Sequence, residues 1–81
     1  LRAESSWTTL AKLYESMRPR DAAEIFNELD LPILVQVVNR MSERRAAPIL
    51  AAMTPERARQ VTAELSRMRS QAASAGTALL R

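Results

Sequence analysis

The chain has 81 residues, 47% of them hydrophobic, and carries twelve Lys and Arg against nine Asp and Glu for a net charge of +3. That length holds one small domain, marginal by itself, and a charge excess this mild and dispersed does not argue for nucleic acid or anionic lipid. With no Cys and no His, a disulfide framework and Cys-ligated zinc are excluded, and the usual general base and commonest transition-metal ligand are missing; the redox compartment stays open.

Trp7, Tyr14 and Phe26 are the only aromatics, so the core must come from Leu, Ile, Val, Met and Ala, which suits closely packed helices better than a sheet sandwich. The chain opens with Leu1 and shows neither a signal peptide nor an apolar run of bilayer length. It is therefore expected to be an excised domain, with any targeting segment, anchor or coiled coil outside it and no membrane insertion of its own.

Taken in chain order, the first element is a helix over about 6–17, where Trp7, Leu10, Leu13, Tyr14 and Met17 fall at helical spacing behind Ser5 and Ser6. Its aromatics are placed to cap the end of a stack. A twelve-residue repeat follows, opening at Met17, Leu29, Met41 and Met53 and closing at Leu65. Its units read MRPRDAAEIFNE, LDLPILVQVVNR, MSERRAAPILAA and MTPERARQVTAE. A repeat of this kind means one structural unit stacked several times, a scaffold or binding surface before an enzyme.

The apolar positions of each unit lie at i, i+3, i+4 and i+7, the buried stripe of an amphipathic helix. The stripes are Ala22, Ile25, Phe26 and Leu29; Leu34, Val37, Val38 and Met41; Ala46, Ile49, Leu50 and Met53; and Ala58, Val61 and Leu65, with Thr62 breaking the last. The second position of the units is Arg18, Asp30, Ser42 or Thr54, three of them good N-caps, so a helix is predicted to restart there each time. Pro19 and Pro55 stand at the first helical position, where a missing N–H costs nothing, and Pro32 one residue further in. Helices of about nine or ten residues, roughly 14 Å long, are too short to be stable alone and must be held by their neighbours.

Pro48 is the exception, since it falls inside the third helix and predicts a kink near 44–48 or a helix that begins only there. The segment 70–81, rich in Ala and Ser with Gly76, has little to bury and is expected to be flexible or to need a partner. The predicted architecture is all-α: a right- or left-wound, solenoid-like stack of about five or six short helices over 1–69 with a tail at 70–81, repeating about every two helices.

Two charge clusters are candidate sites. Asp21, Glu24 and Glu28 follow i, i+3, i+7 spacing and could hold hydrated Mg²⁺ or Ca²⁺, or be no more than a solvated acidic face. Arg18, Arg20, Arg44, Arg45, Arg57 and Arg59 gather near three helix starts, where positive charge opposes the helix dipole. They pair with acids of adjacent helices such as Glu28, Glu43, Glu56 and Glu64, or they form a surface that grips an acidic partner segment. Nucleic acid would require a denser basic stripe or free stacking aromatics. Met17, Met41, Met53 and Met68 read as core rather than as a soft binding groove. The Ser residues lack a His or a nucleophile elbow, and the single Gly76 excludes a phosphate loop. No cofactor and no enzymatic activity are expected.

The run from Tyr14 to Phe26, YESMRPRDAAEIF, and the run from Met41 to Met53, MSERRAAPILAAM, resemble a helical superfamily. It includes the cytoplasmic N-terminal domain of MgtE magnesium transporters and is related to the repeats of the flagellar rotor protein FliG. The resemblance covers about 10–68 and, within the superfamily, is nearest to the C-terminal domain of MotE-type flagellar motility chaperones. It implies a periplasmic protein with an N-terminal export or anchor segment and a coiled-coil region, assisting the motility protein MotC, and it leaves room for a homodimer through the parent protein. The alternatives are a cytoplasmic Mg²⁺-sensing domain of an MgtE-type transporter, whose acids would be Asp21, Glu24 and Glu28, and a FliG-like self-associating module.

Overall fold

A computed structural model describes the backbone of residues 3–80 and the side chains of 6–71. It is all-helical: α1 spans Ala3–Glu15, α2 Pro19–Phe26, α3 Leu31–Asn39, α4 Glu43–Ala52 and α5 Pro55–Leu80. The helices after α1 begin at residues 19, 31, 43 and 55, a spacing equal to the sequence repeat.

Each restart closes the same backbone turn. The N-cap residues Arg18, Asp30 and Ser42 are extended, with ψ of 138°, 136° and 149°, and none of the three caps with its own side chain. In all four units the sixth residue then closes the first turn on the second: Ala22, Leu34, Ala46 and Ala58 donate N–H to the carbonyls of Arg18, Asp30, Ser42 and Thr54 at 2.9–3.0 Å. Pro19 and Pro32 sit in the first turn, where no N–H is required. No positive φ occurs among the described residues, so the turns are made without glycine.

The helices interleave in two columns, α1 on α3 on α5 and α2 on α4, tied by contacts of α1 with α2 and of α4 with α5. This is the stack with a two-helix repeat that the short connections predict. Every stripe residue is buried or half-buried except Ile25, which is 39% exposed. Phe26, Leu34, Val37, Ile49 and Val61 are its largest fully buried side chains. Ala11, Ala22, Ala23 and Ala46 are buried as well, and such small side chains let short helices approach closely. Tyr14 of α1 meets Phe26 of α2 edge to face at 4.9 Å, while Trp7 packs half-buried on the same core.

Three expectations change. The opening helix begins at Ala3, so Ser5 and Ser6 lie inside it rather than before it. Helix α4 runs unbroken from Glu43 through Pro48; the ring is exposed, and the cost is confined to the Arg44 carbonyl, which loses its N–H donor. The fourth repeat does not end near Leu65, because α5 continues to Leu80. Ser66 occupies the slot of an N-cap, yet the helix runs through it. The Glu64–Arg67 ion pair at 3.2 Å bridges the would-be break as an i, i+3 helical pair. Most side chains of the expected tail, 72–81, lie outside the described residues, and Met68 is the last described residue packed on the core. No helix among the described residues is long and apolar enough to cross a membrane.

Candidate partner-binding groove

Two hydrogen bonds that repeat the same register hold the ends of the columns. The Ser42 N–H, at the start of α4, donates to Glu15 Oε2 at 2.8 Å. One unit later the Thr54 N–H, before α5, donates to Asn27 Oδ1 at 3.0 Å, and the Thr54 hydroxyl reaches the same oxygen at 3.4 Å. Asn27 holds the eleventh position of the first unit and Glu15 stands twelve residues before it, ahead of the repeat, while Ser42 and Thr54 hold the second position of the third and fourth units. A side chain at one helix end therefore supplies an acceptor for an otherwise orphaned N–H across the stack. Sequence reasoning missed both acceptors. The signal was present, since both pairs are 27 residues apart, but its meaning depends on which helices become neighbours.

Arg57 completes the second junction. Its Nη2 donates to the Phe26 carbonyl at 3.4 Å and to the Leu29 carbonyl, and its Nη1 donates to Gln60 Oε1 at 3.2 Å. The Phe26 carbonyl belongs to the C-terminal end of α2, where a cation complements the helix dipole. The buried Nε has no partner. Arg57 is thus turned into the fold and does not contribute a free guanidinium to the surface.

At the first junction the corresponding space is open. A groove of about 560 Å³ is lined by Glu15, Met17 and Pro19 on one side and by Ser42, Arg44, Arg45, Pro48 and Ile49 on the other. Arg44 and Arg45 project from the first turn of α4 and are exposed. Arg18 and Arg20, also exposed, flank Pro19 at the start of α2. The Arg67–Glu64 contact is the one ion pair among the described residues, so none of Arg18, Arg20, Arg44 and Arg45 has the acidic partner that the pairing alternative required. Arg59 lies apart from this groove, on the exposed side of α5 beside Ala58, Thr62 and Ala63.

The acidic candidates are not drawn together in the same way. Asp21 and Glu24 are exposed on α2, whereas Glu28 falls in the turn after Phe26, off the helical face that the spacing assigned to it. No group of three or more potential metal-ligating side chains clusters among the described residues.

These features define a stack of short helices with a cationic, partly apolar groove at one junction of its repeat. The family model described as the MgtE intracellular N domain matches residues 3–75, and the chain belongs to that family. Neither the curated proteins nor the solved structures compared with it gave a match.

Proposed function

We propose that this chain works by binding another protein, without catalysis, as a periplasmic motility-chaperone domain of the MotE type whose partner is MotC. The observation that carries the binding reading is the groove lined by Arg44 and Arg45, exposed cations without an ion-pair partner, as Arg18 and Arg20 on either side of Pro19 also are. Uncompensated arginines beside apolar surface are what protein interfaces select, because the planar guanidinium pairs with carboxylates and packs on apolar groups. The MotE and MotC assignment rests on the likeness of the 14–26 and 41–53 segments to that branch of the superfamily.

Titration calorimetry of the domain with purified MotC tests this reading: saturable binding is the expected result, and absence of heat and of co-elution removes MotC as the partner. Family membership favours a second reading, the Mg²⁺-sensing N-terminal domain of a transporter. That reading requires Mg²⁺ to raise the melting temperature of the chain, since a ligand bound only to the folded state stabilises it, and requires the rise to vanish in Asp21→Asn with Glu24→Gln.

A further inference from the structure

Arg57 and Arg45 occupy the same position of the repeat, one unit apart, yet their surroundings differ. Arg57 inserts its guanidinium at the end of α2 and closes the second junction from inside. Arg45 is exposed and its guanidinium makes no hydrogen bond or ion pair, and the first junction keeps its groove. What closes one junction is therefore lacking from the other, where Met17, Pro19, Pro48 and Ile49 line a partly apolar wall. The groove's one acid, Glu15, keeps its charge while its Oε2 accepts from the Ser42 N–H, and the two guanidinium groups of Arg44 and Arg45 outnumber it, so the net charge of the lining is positive.

We infer that this groove receives an extended, carboxylate-bearing segment of the partner protein. Arg44 and Arg45 pair with its carboxylates, and the wall formed by Met17, Pro19, Pro48 and Ile49 seats an intervening apolar side chain. Charge complementarity selects this occupant, because the free groups are guanidinium donors with a planar fork that fits carboxylates. The acid of α4's first turn, Glu43, lines a different pocket with Val38, Met41 and Leu65 and is not part of the groove's lining. The inference rests on the protein-binding reading and names its site and ligand chemistry, without depending on MotC.

The test is a titration of the isotopically labelled 81-residue chain with a short, end-blocked peptide of alternating leucine and glutamate, followed by backbone amide shifts. Shifts are expected at Glu15, Met17, Ser42, Arg44, Arg45 and Ile49. They should weaken with added salt, fall about tenfold or more in apparent affinity in Arg44→Glu with Arg45→Glu, and persist in Arg59→Glu. The double variant places negative charge in the first turn of α4, where the dipole favours it, so folding is retained and is verified by circular dichroism. No shifts at about 1 mM peptide, shifts centred elsewhere, or equal response to the glutamine counterpart would overturn the inference. Vesicles containing phosphatidylglycerol are the comparison arm. Sedimentation with them that is lost in the double variant, without a peptide response, would assign the arginines to a membrane surface and overturn it equally. Peptide binding without MotC binding would leave the groove standing and remove only MotC.

Discussion

Replacing Arg57 by methionine separates a structural arginine from a surface one. Its Nη2 serves two carbonyls, Phe26 and Leu29, and a hydrogen bond involving a charged group contributes about 1.5–3 kcal/mol net. Two such bonds amount to about 3–6 kcal/mol, offset by about 1–3 kcal/mol for the buried Nε that goes unsatisfied in the wild type. Methionine keeps most of the packing of the aliphatic stem, so the net loss is about 2 kcal/mol. A chain of this length has about 4–12 kcal/mol of stability in total. The melting temperature should therefore fall by about 8–16 °C, read by circular dichroism. Arg59→Met, the same chemical change at an exposed position of the same helix, should stay within about 0.5 kcal/mol of wild type. Arg57→Lys should recover only part of the loss, because an ammonium on a flexible stem cannot reproduce the planar fork. If Arg57→Met melted within about 2 °C of wild type, the guanidinium would not be holding the end of α2, and the contrast between the two junctions would lose its basis.

Phe26→Ala should cost about 3–5 kcal/mol in urea unfolding, a large share of the total stability, since Phe26 is fully buried and is the edge-to-face partner of Tyr14. Asn27→Ala should cost about 1 kcal/mol by removing the acceptor of the Thr54 N–H, and Glu15→Gln should cost less than Glu15→Ala because an amide oxygen can still accept from Ser42. Thermal melts of the set decide whether the two equivalent bonds carry equivalent weight. Pro48→Ala restores a helical donor at an exposed site and should stabilise the chain by about 1 kcal/mol or more while weakening binding of the leucine–glutamate peptide. A gain in stability with unchanged peptide affinity would show that Pro48 is tolerated but not used.

The positions that sequence reasoning placed well are those governed by neighbours along the chain. Proline in the first turn and the recurrence of the apolar stripe act within a few residues, so the helix starts at 19, 31, 43 and 55 and the burial of Phe26, Leu34, Val37, Ile49 and Val61 were legible before any packing was known. The seventh position of the repeat was not legible: Ala23 and Val35 are buried there, whereas Ala47 and Arg59 are exposed. Residue type does not decide this, since two alanines take opposite fates; the neighbouring helices do. Helices α2 and α3 both pack on α1 and are also covered by a later helix, α4 or α5.

The sequence by itself determined an all-helical repeat, its period and the stripe residues that form most of its core, because capping, proline sterics and amphipathic spacing are local. Only the tertiary structure decided that Glu15 and Asn27 cap helices 27 residues away, that Arg57 turns inward while Arg44 and Arg45 stay free, and that α5 runs past the fourth repeat. Those outcomes depend on which backbone groups the stacking leaves unpaired, and an orphaned N–H or carbonyl is satisfied by whatever side chain the fold brings within reach.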